Sequence, residues 1–249
     1  MMVIKSYKKV QVILLGFLIF TVISSCKNET LSAYQIIEQT VETYGGLENW
    51  NSIKQLSFDK DVTLFLEDRS VQRHTNQFQL FQFNEPFGKI EWDENEIAHQ
   101  IIYEGNNFTK IENDSVINAP DTSPLVSKAF FASEFVIKQP FDLLRDEVIL
   151  TREKDTLINR KNHYVISVAY ENELPDADRW YYVIDQETNY ILANKVVLTD
   201  HTSWVENLTY DETTDFVFNH HRKSYRLNEK GEKKYLRAEY FYTDYDVIK

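Results

Sequence analysis

Arg179-Trp180-Tyr181-Tyr182-Val183-Ile184-Asp185 is the stretch of this sequence that decides the fold. Successive side chains of a β-strand point to opposite faces, so Trp180 and Tyr182 would lie on one face and Tyr181 and Val183 on the other. Both sets are aromatic or β-branched, and these residue types favour strands. The stretch therefore predicts a strand with large apolar side chains on each face.

The same alternation recurs along most of the chain, and polar turns such as Asn228–Gly231 separate the alternating segments. The segments predicted to be strands are Val62–Leu66, Phe78–Phe83, Phe87–Asp93, Glu96–Tyr103, Phe108–Ile117, His163–Tyr170, Arg179–Asp185, Tyr190–Thr199, Ser203–Tyr210, His220–Leu227 and Lys233–Tyr245. Strands do not alternate with helices, as they do in parallel sheets. The sequence therefore predicts one large antiparallel sheet of about eleven strands.

Two helical regions accompany the predicted strands. Leu31–Tyr44 has apolar residues at helical spacing, with Ser32 placed to cap its start and Gly45 to end it. Shorter helical segments are predicted at Leu47–Ser52, Leu125–Phe135 and Pro140–Arg145. A large sheet must cover one of its faces, and here only these helices are available. We therefore expect a mainly β (α+β) fold, in which a curved sheet forms a half-open barrel with helices on its concave side.

The N-terminal residues have the composition of an export signal. Three lysines precede Val10–Ile23, an apolar run of 14 residues. A transmembrane helix needs about 20 residues, whereas a signal peptide needs fewer. The run ends in Ile23-Ser24-Ser25-Cys26, which resembles the lipobox of bacterial lipoproteins.

The lipobox resemblance implies a signal peptide at residues 1–25, lipidation of Cys26 and a tether at residues 26–30. The rest of the chain, residues 31–249, is long enough for one sizeable core and suits a single domain. Cys26 is the chain's single cysteine, so no other thiol could take the lipid. An uncleaved N-terminal anchor is the alternative. Two or more acyl chains would attach the protein firmly to a membrane.

Charge narrows the choice of partners and compartment. The formal net charge is −12, and loss of the three leader lysines would lower it to −15. So acidic a chain is a poor partner for nucleic acid.

Lys27-Asn28-Glu29 lacks the aspartate after cysteine that retains enteric lipoproteins in the inner membrane. We expect a monomeric outer membrane lipoprotein that faces the periplasm, with the cell surface as the alternative.

No catalytic or metal-binding motif is present in the sequence. His220 and His221 are adjacent and would face opposite sides of a strand, so they could not hold one metal ion together. Asp176 and Asp178 could form an acid–base pair or a calcium site, although acidic residues in a loop before a strand more often serve solubility. We therefore expect no cofactor, no metal and no enzymatic activity.

Three stretches resemble an uncharacterised family of Gram-negative lipoproteins: Tyr44–Phe58, Phe130–Ser133 followed by Gln139–Phe141, and Pro175–Asp185. That family looks like the LolA/LolB-type carriers, whose half-open β-barrel holds acyl chains of lipoproteins or lipids. The resemblance implies the same fold and a hydrophobic ligand. The apolar loop with which LolB-type proteins deliver their cargo is not recognisable in this sequence.

The aromatic and apolar strand residues are the remaining candidates for a ligand site. A half-barrel with few helices would have an apolar interior that its helices do not fill. The predicted cavity residues are Phe65, Phe78, Leu80, Trp92, Trp180, Tyr182, Trp204 and Tyr240. Three functions stay open: a carrier or binder of a lipid or other hydrophobic ligand, a structural or interaction lipoprotein whose core fills its own barrel, and an enzyme.

Overall fold

The computed structural model describes residues 30–117, 123–171 and 178–249. The predicted signal peptide, residues 26–29 of the predicted tether, which include Cys26, and Asp176 lie outside these ranges. The statements that follow concern the described residues.

Fourteen strands form one sheet, and neighbouring strands pair antiparallel. They are β1 (Gln55–Phe65), β2 (Val71–Gln82), β3 (Phe87–Glu94), β4 (Ile97–Glu104), β5 (Asn107–Glu112), β6 (Ser115–Val116), β7 (Val148–Arg152), β8 (Thr156–Ile158), β9 (Lys161–Tyr170), β10 (Arg179–Asp185), β11 (Ile191–Val197), β12 (Thr202–Asp211), β13 (Phe218–Leu227) and β14 (Lys233–Ile248).

The strand order is β6-β5-β4-β3-β2-β1-β14-β13-β12-β11-β10-β9-β7, and β8 pairs with β9. The first and last strands, β1 and β14, pair at the middle of the sheet and join two meanders, β1–β6 and β7–β14. The edge strands β6 and β7 do not pair with each other within the described ranges. The barrel is therefore half-open, which confirms the predicted fold class.

Three α-helices, α1 (Ala33–Thr43), α2 (Leu47–Asn51) and α3 (Ser123–Ile137), and one 3₁₀ turn, Phe141–Leu144, lie among these strands. Ser32 begins α1 as predicted: its side chain accepts a hydrogen bond from the Gln35 amide, and the Gln35 side chain accepts one from the Ser32 amide. This reciprocal pair satisfies two backbone donors that the first helical turn leaves free. One face of α1 is buried, which follows from its apolar spacing.

The structure has more strands than the sequence pattern predicted. Phe108–Ile117 divides into β5 and β6 because Asn113 and Asp114 adopt positive φ angles of 44° and 62° and form a tight turn. Strands β7 and β8 were not predicted, because both are short, with five and three residues, and too few side chains alternate in them to show a strand pattern. Pro140–Arg145 contains the 3₁₀ turn.

The two faces of the sheet differ in what covers them. We call the face that contacts the helices the inner face. Gln79 and Phe81 define it on β2, because Ser133 of α3 donates a hydrogen bond to Gln79 (2.6 Å) and the Phe130 ring of α3 lies 5.3 Å from the Phe81 ring. Side chains alternate between the two faces along a strand, and paired residues of neighbouring strands lie on the same face. These two rules assign each of the remaining strand residues to the inner or the outer face.

Candidate functional site

The eight predicted cavity residues do not line one cavity. Pairing and alternation place Trp92, Trp180, Tyr182 and Tyr240 on the inner face and Phe65, Phe78, Leu80 and Trp204 on the outer face. The physical reason is that both faces of these strands carry large apolar side chains, so the sequence pattern shows a strand without showing which face is inside. A ligand-binding role for these residues remains a prediction.

Two of the outer-face residues border open clefts. Phe78 lies in a cleft of about 530 Å³ whose other walls carry Asp59, Glu91 and Asp93. Trp204 lies in a second cleft, of about 560 Å³, on the outer face of the other meander. Neither cleft is bordered by a described residue of α3.

Trp92 faces inward but has charged neighbours. Its ring stacks on His99 with centroids 5.0 Å apart, and the Arg73 guanidinium lies 6.0 Å from it. Arg73 forms an ion pair of 2.6 Å with Glu94, and the His99 imidazole lies 3.3 Å from Glu112. This end of the inner face is therefore polar rather than apolar.

An apolar cluster lies between α3 and strands β2–β5. We call it the phenylalanine cluster, and its members are Phe81, Tyr103, Phe108, Phe130 and Phe131. Phe130 is fully buried, and its ring centroid lies 5.3 to 5.5 Å from those of Phe81, Tyr103 and Phe108. Phe131, the next residue, packs on the same Tyr103 and Phe108 rings yet remains 45% exposed.

Gly88 of β3 makes room for the Phe130 ring. A β-carbon at this position would lie 2.3 Å from Phe130 Cζ, far closer than real contacts. Any side chain on β3 here would therefore push α3 away from the sheet. The sequence pattern could not show this pairing, because a glycine within a strand does not identify the group that approaches it.

Helix α3 is apolar on more than the face it buries. Its 15 residues include two charged side chains, Lys128 and Glu134. A surface helix normally carries polar residues opposite its apolar stripe, whereas a helix that is apolar all round is usually buried. The exposed Phe131 shows that α3 presents an aromatic side chain beyond what its packing requires.

A polar cavity lies near the C-terminal end of α3. We call it the arginine pocket, and the residues that border it include Phe135, Gln139, Trp180, Tyr182, Asn194, Asn207, Asn219 and Arg222. Its free volume is about 20 Å³, room for roughly one water molecule. Phe135 of α3 packs on Trp180 with centroids 4.8 Å apart, so α3 borders both the phenylalanine cluster and this pocket.

Arg222 is the unusual residue of the pocket. Its side chain is 6% exposed, and its Nε donates a hydrogen bond of 2.8 Å to Asn207 Oδ1. Across the described ranges, the guanidinium makes no ion pair, and no hydrogen bond uses its Nη1 or Nη2. A buried charge without a partner is energetically costly.

Two further polar atoms at the pocket lack partners. Gln139 Nε2 and Asn219 Oδ1 are buried and unbonded within the part of the chain that the structure describes. Gln139 itself is held in place, because its Oε1 accepts a hydrogen bond of 2.8 Å from the Tyr182 hydroxyl. The pocket therefore combines a buried cation with one free amide donor and one free amide acceptor.

The tyrosines around Arg222 supply no negative charge. Burial raises the pKa of Tyr182, Tyr210, Tyr240 and Tyr245, and the positive charge of Arg222 lowers each of these pKa values only in part. The phenols are therefore neutral at pH 7, since their pKa values are higher than the ordinary value of about 10.

The histidines act separately. His220 Nδ1 lies 2.9 Å from the Tyr242 carbonyl, while His221 Nε2 lies 2.7 Å from Glu239 and its ring stacks on Phe241. In the described ranges, no group of three or more His, Cys, Asp or Glu residues is arranged to hold a metal ion.

None of the described helices is long and apolar enough to cross a membrane.

The arginine pocket was not predicted from the sequence apart from Trp180 and Tyr182. His220, Arg222 and Ser224 alternate with His221 and Lys223, so both faces of β13 read as polar. No local pattern distinguishes the buried arginine from the half-buried lysine beside it. The pairing of β13 with β12 and β14 is what carries Arg222 into the interior.

No protein-family model matches this chain, and no curated protein matches it. Solved structures do match. A LolA superfamily protein from Nitrosomonas europaea is 10% identical over 88% of this chain and 95% of its own, with a TM-score of 0.57. A domain from Vibrio parahaemolyticus, whose name assigns it to outer membrane lipoprotein sorting, is 9% identical over 86% of this chain and 91% of its own, with a TM-score of 0.51.

A DUF1329 family protein from Desulfovibrio piger is also similar, at 8% identity over 86% of this chain and 91% of its own, with a TM-score of 0.51. These similarities span most of the length of each protein. The chain therefore has a LolA-like fold, which confirms the resemblance inferred from the sequence. At such low identity the likeness concerns the fold alone.

Proposed function

We propose that this protein is a cell-envelope lipoprotein that binds or carries a lipid or another hydrophobic ligand between α3 and the inner face of its half-open barrel. The phenylalanine cluster carries the proposal: α3 buries Phe130 over Gly88 and leaves Phe131 45% exposed. The ligand's hydrocarbon part would take the space that the Phe130 ring occupies. Burial of apolar surface would drive that exchange.

The lipobox and the fold support the compartment. Cys26 would carry the acyl anchor, and the LolA-like fold is shared with a protein named for lipoprotein sorting. We propose the outer membrane, with the domain on its periplasmic side. Cys26→Ser should move the chain from the membrane fraction to the soluble fraction, and its persistence in carbonate-washed membranes would contradict lipidation. Survival of the domain during protease treatment of intact cells, followed by loss after lysis, would support the periplasmic side.

A structural or interaction lipoprotein without a ligand is the second candidate. The small free volume of the arginine pocket, about 20 Å³, favours it, because protein side chains already fill the space beside α3. In that case Phe130 is an ordinary core residue. Carriage therefore requires that α3 moves away from the sheet to admit a ligand.

Native mass spectrometry of the full chain, extracted from its own membranes and washed with non-ionic detergent, separates the two candidates. A carrier should retain lipid adducts, and Phe130→Ala should retain more because the substitution enlarges the apolar space. Phe241→Ala, which removes a ring that is 37% exposed on the outer face of β14, is the matched control and should retain the wild-type amount. Bare protein in all three preparations would support the structural candidate.

A further inference from the structure

We propose that the arginine pocket binds an oxyanion, either a carboxylate or a phosphate, and that in the carried ligand this group is the polar head of a hydrophobic chain. The chemistry begins with Arg222. Its guanidinium is buried, its Nε is already bonded to Asn207, and its two Nη groups remain available. Two parallel N–H donors match the two oxygens of a carboxylate or phosphate.

The surrounding residues leave the charge of Arg222 uncompensated. The neighbouring phenols are neutral because burial raises the pKa of each. Three carboxylates act on the phenols near Arg222: Asp142 on Tyr182, Asp185 on Tyr210 and Asp211 on Tyr245. None of them forms an ion pair with Arg222 within the described ranges; Asp142 lies 3.6 Å from Arg145, and Asp185 lies 3.5 Å from His163. A buried cation is normally retained only with a compensating partner, and this pocket contains none among the described residues.

The unbonded amides fit the same ligand. Gln139 Nε2 can donate to a third position on the anion. Asn219 Oδ1 needs a donor, which a water molecule or a ligand hydroxyl beside the anion can supply. Asn194 and Asn207 are 4% and 5% exposed, so the site excludes bulk water and strengthens a charged hydrogen bond.

The position of the pocket connects it to the proposed ligand tail. Phe130 and Phe135 belong to the same helix, five residues or about 7.5 Å apart along its axis. A chain whose head binds Arg222 can therefore place its tail in the phenylalanine cluster after α3 moves outward. The tail's location rests on the proposed function, and the oxyanion site rests on Arg222 and its neighbours. Because the closed pocket has room for about one water molecule, the same outward movement of α3, which borders the pocket through Phe135, must also widen it to admit the anion.

The test compares palmitate with hexadecanol, which has the same chain length but no charge, on the full protein in non-ionic detergent. Binding is measured by native mass spectrometry and by the ligand-dependent rise in Tm. We expect the wild type to bind palmitate at least about tenfold more tightly than hexadecanol. Arg222→Met should lower palmitate binding to the hexadecanol level and leave hexadecanol binding unchanged.

Arg226→Met is the matched control, because Arg226 lies four residues further along β13 and bonds to Ser203. It should keep the preference for palmitate. Arg222→Lys keeps the positive charge but loses the paired N–H donors, so its preference for palmitate over hexadecanol should be intermediate. This variant also tests the site if Arg222→Met does not fold.

Equal binding of palmitate and hexadecanol by the wild type would overturn the oxyanion site and leave the proposed function standing. A third outcome is that the wild type binds neither palmitate nor hexadecanol, while inorganic phosphate raises the Tm of the wild type but not that of Arg222→Met. This outcome would reject lipid carriage and support the site for a free anion. Absence of any response to all three compounds would reject both.

Discussion

The middle and the C-terminal end of α3 border different surroundings on the inner face of the sheet. At the middle of the helix, Phe130 packs in an aromatic cluster to which strands β2, β4 and β5 supply the other rings. Toward its C-terminus, Phe135 borders a pocket of amides and one buried guanidinium from strands β10–β13. The inner face is therefore not uniformly apolar. It has an apolar part, the phenylalanine cluster, and a charged part, the arginine pocket, beside the same helix.

Removal of the central ring tests the apolar part, and we expect the largest effect there. Phe130→Ala should lower the free energy of unfolding by about 3–5 kcal/mol, because it deletes a fully buried ring among closely packed neighbours. Urea unfolding followed by tryptophan fluorescence measures the change. Phe131→Ala, at a half-exposed ring of the same cluster, should cost much less, and equal losses would show that Phe130 holds no special position.

The contact between β3 and α3 can be tested from the opposite side. Gly88→Ala should cost about 1–3 kcal/mol, because the new methyl group overlaps the Phe130 ring and the close packing must shift. Combining it with Phe130→Leu, which shortens the side chain, should recover part of the loss. If the double substitution simply added the two individual losses, the two positions would be uncoupled.

The strands and α1 could be predicted from the sequence, whereas the arginine pocket could not. The strands were predictable where side chains alternate, and α1 was predictable from its capping residue and apolar spacing, because both signals are local. The side of the sheet that faces inward was not predictable: Trp180 and Trp204 both lie in segments that alternate as strands do, yet their side chains face opposite ways. The arginine pocket depends on pairing between strands far apart in sequence, so no local signal announced Arg222.

A smaller effect is expected in the arginine pocket. Tyr182→Phe removes the hydrogen bond from the phenol to Gln139 and should cost about 0.5–1.5 kcal/mol. The ring and its packing on Trp180 would remain. Tyr225→Phe is a suitable reference, since Tyr225 lies on β13 with its ring 4.2 Å from the Lys233 ammonium on the protein surface. A larger loss at position 225 than at 182 would contradict the assigned role of the hydroxyl.

Hydrogen–deuterium exchange across α3 tests the central claim most directly, because the account requires the ligand to enter between this helix and the inner face. With palmitate added to the full chain in detergent, we expect the amides of residues 123–137 and of β4 and β5 to change their exchange rates. The turn Asn228–Gly231 between β13 and β14 should be unaffected. A response confined to this turn or to the outer-face clefts, with α3 unchanged, would contradict binding within the half-open barrel.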